Sequence, residues 1–360
     1  LSIAFYEEPN VGLGKYRLHF NENLFLPREY YEEVLRVLLE PDLVRYYTEP
    51  LNASLLEPDL VRYYTEPLNA SFNNAIAKHI GVDGDNIFST AGGDEALRLL
   101  IQVALHGNRK LLVVEPTYSM PRALAESMGI GIAEVLLRPD YELDVDAVVK
   151  AGIGADVVYM CNPNNPTGNL FSRGDVEYVV SKLDSLIIID EAYAEFAGVS
   201  LIDLVRHYDN VAVVRTFSKA WGLAGLRVGY VVASEKVINA LRRLSLPHNI
   251  PYPSMAMVMR ALQLRHYVSE SIERMILVRE YMIRRMEELG VAPLRAVTNF
   301  VTFHAKDSDL VHSELDKRGF VLRNLGGKPL CQDCLRATVP PMPVAERLLD
   351  ALNEVVRQVR

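Results

Sequence analysis

Residues 185–190 read SLIIID and run straight into EAY at 191–193. The run is aliphatic at consecutive positions, lacks apolar/polar alternation, and closes on an acid. A strand of that kind is buried on both faces, the habit of parallel strands covered by helices. Working outward, NIFST (86–90), KLLVVEP (110–116), DVVYMC (156–161) and NVAVVRT (210–216) share its character. Amphipathic helical patterns separate these runs. Ala96, Leu99, Leu100, Val103 and Ala104 fall on one helical face. Ser172 and Asp175 have the spacing of a capping box ahead of Val176, Val179, Val180 and Leu183. Strand–helix–strand repetition predicts an α/β fold built on a doubly wound, mostly parallel sheet. RVGYVVAS (227–234) follows with too little chain for a helical crossover and is expected to enter the sheet antiparallel.

Flanking regions complete the expected organisation. Residues 1–40 read as an N-terminal arm with a helix at about 29–39, and 72–250 as the large sheet domain. After Pro251-Tyr252-Pro253 the pattern changes. One long helix is expected over 254–289, then a strand in NFVTFHA (299–305), so 251–360 reads as a smaller α+β domain. Residues 38–54, LLEPDLVRYYTEPLNAS, recur unchanged at 55–71, making 41–71 a tandemly duplicated segment. Two adjacent identical copies are not a solenoid, which needs three or more diverged repeats.

Composition excludes several functions. With 38 Lys and Arg against 46 Asp and Glu, the net charge of −8 opposes nucleic-acid or anionic-membrane binding. No apolar stretch approaches the roughly 18 residues of a membrane span. The N-terminal LSIAFYEEPN lacks a basic region and a long apolar run, so a secretory signal is not expected; it also lacks Met, which suggests an alternative start or trimming. Three cysteines in 360 residues cannot build a disulfide framework and suit a reducing cytoplasm. Cys331 and Cys334 form a CxxC, but a zinc site needs further ligands, none stands nearby, and no metal is expected.

Ligands of an open α/β sheet bind beyond the C-terminal ends of its parallel strands. Collected there are TAGGDE (90–95) leading into a helix, Thr117-Tyr118, NPNNPTG (162–168), Asp190-Glu191-Ala192-Tyr193, and Phe217-Ser218-Lys219 with Arg227 eight residues on. Each has a bland reading: a polar turn, an ordinary helix start, a core aromatic, a solvated lysine. Together on one edge they supply what pyridoxal phosphate needs. That cofactor takes a lysine, an acid for its pyridine nitrogen, an anion-binding helix start with a cation, and a ring to stack on.

NNPTG (164–168), DEAY (190–193) and TFSKAWGLAGLRVGY (216–230) resemble the class I/II, fold-type I aminotransferases. NEN (21–23), SKAWGLAGLR (218–227) and KPLCQDCLRATV (328–339) are most similar to histidinol-phosphate aminotransferases. The resemblance implies that Lys219 binds the cofactor covalently and serves as general acid/base, and that Asp190 pairs with the pyridinium. It places Asn165 and Tyr193 on the ring's 3′-oxygen and Tyr118 against the ring. It assigns the phosphate to the backbone of Gly93 and Asp94, to Thr216, Ser218 and Arg227, and to Tyr64 (or its duplicate Tyr47) from a neighbouring subunit of a homodimer. Arg336 would receive the substrate's carboxylate or phosphate, with Arg323 and Asn23 as further contacts. The pattern departs from the family at Leu24, where proline is usual, at Pro121, and in the ending CLRATVP. All three fall on substrate-facing segments.

The expected reaction is transfer between histidinol phosphate and 2-oxoglutarate, with an aromatic or aspartate aminotransferase as alternative. A threonine-phosphate decarboxylase ranks lower because such enzymes tend to lack the CLRATV-like string. A regulator on the same fold would need a basic DNA-binding domain, for which the first 40 residues leave no room. A purely structural protein would not need Lys219, Asp190 and Asn165 together.

Overall fold

The computed structural model describes residues 14–37, 69–105 and 109–359. Tyr47, Tyr64 and nearly all of the duplicated segment lie outside the described residues. Strand β1 (Tyr16–Arg17) belongs to the N-terminal arm. The main sheet comprises β2 (Ile87–Thr90), β3 (Lys110–Glu115), β4 (Gly131–Leu136), β5 (Val157–Cys161), β6 (Leu186–Asp190), β7 (Val211–Thr216) and β8 (Gly229–Ala233). Their spatial order is β2-β8-β7-β6-β5-β3-β4. Every pairing from β7 through to β4 is parallel, whereas β8 runs antiparallel to both of its neighbours, as the short connection requires.

The absence of alternation in these strands has a direct cause. Ile187 and Ile189 pack into one apolar cluster and Ile188 into another on the opposite face. Val158 and Met160 are divided from Val157 and Tyr159 in the same way. Each fully buried aliphatic side chain contributes roughly 1.5–3 kcal/mol, so a charge at Ile188 would be intolerable on either face. Helices cover both sides. Over Arg173–Lys182, Ser172 caps the start by accepting from the N–H of Asp175 at 3.1 Å, and Val176, Val179 and Val180 are buried.

Strand β4 was not expected from the sequence. It is an edge strand whose residues are mostly half-buried or exposed, so it lacks the aliphatic run of its neighbours. The single helix expected over 254–289 is two, Tyr252–Gln263 and Arg265–Glu288. The break falls at Leu264, whose side chain is buried in the core and whose N–H turns back to Ala261 O. The first of the two helices packs against Arg28–Arg36, where Arg260 pairs with Glu33 at 2.8 Å.

A second sheet holds β9 (Ala292–Pro293), β10 (Phe300–His304), β12 (Arg323–Asn324) and β13 (Cys334–Thr338) in the antiparallel order β12-β13-β10-β9. The remaining strand, β11 (Phe320–Val321), pairs in parallel with β1 and draws the N-terminal arm against this smaller layer. Among the described residues, no helix is long and apolar enough to cross a membrane.

Candidate active site

The chain order reverses at β3: β4 lies on one side and β5 on the other, which opens a crevice beyond their C-terminal ends. Thr117 and Asn164 tie the two rims together, Thr117 Oγ1 donating to Asn164 Oδ1 at 3.1 Å. A cavity of about 670 Å³ opens here. It is lined by Gly93, Asp94, Tyr118, Asn165, Asp190, Tyr193, Thr216, Ser218, Lys219, Arg227, Arg323 and Arg336. Strands that leave the sheet at different points thus deliver one expected group after another to a single space.

Asp190, a buried residue of this lining, ends β6. Tyr159 donates to Asp190 Oδ2 at 2.8 Å and the Ala192 N–H to Oδ1 at 3.1 Å. Burial pushes the carboxyl up to about 6, because neither donor carries a full positive charge. Such a carboxylate is completed by a cationic N–H from a ligand. Glu191, the next residue, turns the other way and is wholly buried against Arg215 at 2.9 Å, so the second acid of DEAY holds the fold together.

Lys219 follows β7 and donates from Nζ to Phe20 O at 2.9 Å. Burial, reinforced by Arg336, pulls its ammonium down to about 8, within reach of a neutral, nucleophilic amine. Tyr193 Oη accepts from Asn21 Nδ2 at 3.0 Å and from Asn165 Nδ2 at 3.4 Å. With both acceptor positions used, its own hydrogen is left to donate into the cavity. Asn165 is oriented by Arg336 Nη1, which donates to its Oδ1, while Arg336 Nη2 donates to His19 O at 2.9 Å. The guanidinium lies 5.1 Å over the Phe300 ring.

A cradle for an anion stands at the start of helix Gly93–Ala104. Gly92 has φ +86°, and a Cβ there would meet Arg227 Nη2 at 2.7 Å, so glycine is what lets the guanidinium lie over this turn. Ser218 Oγ is buried without a hydrogen-bond partner among the described residues. Thr216 Oγ1 accepts from Ser218 N–H at 3.1 Å and so shapes the same loop. Tyr118 is anchored by donating to Asp94 Oδ1 at 3.0 Å. An orphaned hydroxyl, a helix start and an arginine fit a phosphate, and the buried Asp190 fits a protonated ring nitrogen. The residues present therefore suit pyridoxal phosphate.

One expectation is corrected. Asn23 does not line the cavity; its amide donates to Ala220 O at 2.7 Å and Ser271 Oγ at 2.9 Å, which spends both hydrogens on structure. Asn21, two residues earlier in NEN, is the asparagine that faces in. Sequence reasoning also missed His19, Lys328 and Tyr159. Lys328 lines the cavity and donates to Thr117 O at 2.7 Å. Tyr159 carried one usable signal, a phenol inside an otherwise aliphatic central strand.

Fold and site together define an enzyme that works on amino groups through a bound aldehyde cofactor. The sequence model for aminotransferases of class I and II matches residues 18–352, and the chain belongs to that family. It is a pyridoxal-phosphate-dependent transaminase, exchanging an amino group between an amino donor and a 2-oxo acid. The chain is 34% identical over 356 residues to the histidinol-phosphate aminotransferase of Thermococcus gammatolerans, covering 98% of this chain and 96% of that one. With the enzyme of the same name from Thermoanaerobacter pseudethanolicus the identity is 32% over 284 residues, 78% of this chain and 81% of that one. Among solved structures, histidinol-phosphate aminotransferase from Sinorhizobium meliloti in complex with pyridoxal-5′-phosphate superposes with a TM-score of 0.82 at 24% identity, covering 96% and 91% of the two chains.

Proposed function

We propose that this enzyme moves the amino group of histidinol phosphate to 2-oxoglutarate in the cytoplasm, as a step of histidine biosynthesis. The observation that carries the substrate assignment is a second group of cations. Arg323, Lys328 and the buried Arg336 line the cavity in addition to Arg227 at the cofactor-phosphate cradle. This group suits a second anion beside the cofactor's phosphate: histidinol phosphate brings a phosphate and 2-oxoglutarate a carboxylate. The relatives named histidinol-phosphate aminotransferase support the same choice.

When bound, the cofactor supplies a carbonyl carbon to carry the amino group and a ring that takes up electron density. Residues of the chain do the rest. Asp190 Oδ1 or Oδ2 keeps a proton on the ring nitrogen. Tyr193 Oη and Asn165 Nδ2 donate to the ring's 3′-oxygen, and Tyr118 holds the ring face. The N–H groups of Gly93 and Asp94, Thr216, Ser218 and Arg227 hold the phosphate. Arg336 and Arg323 orient the substrate's anionic end. Lys219 Nζ would hold the cofactor's carbonyl carbon and, as a free amine, would take up and give back the proton of the substrate's α-carbon; its lowered pKa suits that exchange near neutral pH. We propose further that the unit is a two-fold homodimer with Tyr64 (or Tyr47) completing the partner's phosphate site.

The test compares half-reactions of purified enzyme with histidinol phosphate, phenylalanine, aspartate and threonine phosphate, read from cofactor absorbance. Histidinol phosphate should give the highest kcat/KM by tenfold or more, a difference of about 1.4 kcal/mol in transition-state binding. Preference for phenylalanine or aspartate, or release of CO₂ from threonine phosphate, refutes the substrate assignment.

A further inference from the structure

Lys328 lines the cavity from the loop between β12 and β13. Its N–H donates to Leu325 O at 2.8 Å, and its carbonyl accepts from the Cys331 N–H at 3.2 Å. Leu325, Cys331 and Cys334 form a small buried cluster with Tyr141 packed against it, and Tyr141 Oη donates to Leu330 O at 2.8 Å. The CxxC is the apolar footing of this loop. From that footing Lys328 reaches across to the rim of the larger sheet and donates to Thr117 O at 2.7 Å, one residue before Tyr118.

A bland role for this lysine would be charge compensation. Glu115, at the end of β3, is buried, and Lys328 Nζ lies 3.6 Å from its Oε2. Other groups already serve that carboxylate. The Thr117 N–H donates to Oε2 at 2.9 Å, and Arg122, which Glu134 shares at 2.5 Å, stands 3.5 Å from Oε1. At 3.6 Å Lys328 gives Glu115 proximity rather than a close hydrogen bond. An ammonium carries three hydrogens. One goes to Thr117 O; with a second assigned to Glu115, a third remains for the cavity, where 23% of the side chain is accessible. Neighbouring cations are more fully spent. Arg17 pairs with Glu22 at 2.5 Å, and Arg336 gives Nη1 to Asn165 and Nη2 to His19 O.

We propose that Lys328 is a specificity-determining residue that binds the phosphate of the amino donor. This role rests on the histidinol-phosphate reading above and names the side chain that enforces it. A phosphate ester carries about −1.5 to −2 charge at neutral pH and three strong acceptor oxygens. One guanidinium does not neutralise that charge, and an ammonium with a hydrogen to give adds the second cation. An uncharged group in the same place would leave the ammonium without its ligand, so the lysine selects by charge. Binding uses the third hydrogen and keeps the tie to Thr117 O, so the loop that carries Tyr118 stays anchored.

The experiment uses the holoenzyme, in which the cofactor's own phosphate fills the Arg227 cradle, and titrates it with inorganic phosphate by calorimetry. The parent should bind phosphate. Lys328→Met should weaken that binding by roughly tenfold or more, and Lys328→Arg should recover most of it. In Lys328→Met, kcat/KM for histidinol phosphate should fall roughly tenfold further than kcat/KM for histidinol, with the difference residing in KM. Combining Glu115→Gln with Lys328→Met separates ligand binding from charge compensation. Thermal stability should recover in the double variant while phosphate affinity and donor selectivity stay lost. Recovery of affinity and selectivity along with stability would overturn the proposal. So would a parent that binds no phosphate, phosphate affinity in Lys328→Met within about twofold of the parent, or equal losses on histidinol phosphate and histidinol. A parent that prefers phenylalanine or aspartate yet loses phosphate binding in Lys328→Met would instead refute the substrate reading and keep Lys328 as the anion's ligand.

Discussion

Tyr159, in the middle of β5, donates its phenolic hydrogen across 2.8 Å to Asp190 at the end of β6. The acid is thus held from beneath by a side chain of the neighbouring strand, and its position is fixed before any ligand arrives. Removing that hydroxyl in Tyr159→Phe leaves Asp190 with the Ala192 N–H alone. Loss of one buried hydrogen bond to a charged group should cost about 1.5–3 kcal/mol of stability. Turnover should fall roughly tenfold as the ring nitrogen is held less firmly. Urea unfolding together with single-turnover rates checks both; unchanged rates would detach Tyr159 from the mechanism.

Asp190 also predicts a pH dependence for the cofactor-free protein. Its carboxyl is raised from 3.8 to about 6 by burial, so the folded chain keeps a proton that the unfolded chain releases between these values. Stability therefore falls as pH rises through this window, by about 3 kcal/mol for a shift of two units. Asp190→Asn removes that loss: relative to the parent, the variant should gain stability between pH 4 and 7, while turnover drops by orders of magnitude. A stability difference independent of pH would show that Asp190 is not the group responsible.

Lys219→Ala should leave the fold intact and abolish turnover, since general acid–base work alone contributes about 10²–10⁴-fold. Borohydride treatment should fix the cofactor to the parent protein and not to the variant, as read by peptide mass. Adduct formation on another lysine would reassign the role.

Gly92→Ala sets a methyl group 2.7 Å from Arg227 Nη2 at a backbone angle that alanine rarely adopts. The expected outcome is displacement of Arg227 and cofactor affinity weakened tenfold or more, about 1.4 kcal/mol. Titration of cofactor-free protein with pyridoxal phosphate measures it, and affinity within twofold of the parent would mean that Arg227 does not serve the phosphate.

The two asparagines of NEN should separate cleanly. Asn23→Ala removes hydrogen bonds to Ala220 O and Ser271 Oγ and should cost about 2 kcal/mol of stability, with substrate preference unchanged. Asn21→Ala strips one donor from Tyr193 and should lower kcat instead. The reverse pattern would restore Asn23 as a substrate contact.

These contrasts also mark what a linear sequence can reveal. Strands such as 185–190 declare themselves because both faces are buried, and Asp190 and Lys219 because a strand end fixes where the next side chain goes. Edge strand β4 does not, since half of its surface meets solvent and imposes no aliphatic run. The break at Leu264 is hidden because a buried leucine serves either helix equally well. Asn21 and Asn23 are alike in sequence, and only the turn of the arm decides which amide reaches the cavity. The His304–Cys334 pair is separated by 30 residues and is created by register alone.

The carbonyl of Phe20, which receives Lys219 Nζ, belongs to no strand of either large sheet. A chain cut back to residue 25 would still contain every strand of the seven-stranded and four-stranded sheets, yet its lysine would lose the acceptor that aims it. Such a fragment would also lose Leu18 from the core and the His19 carbonyl that holds Arg336. For anyone expressing this enzyme, trimming at the front end is a decision about chemistry as much as about solubility.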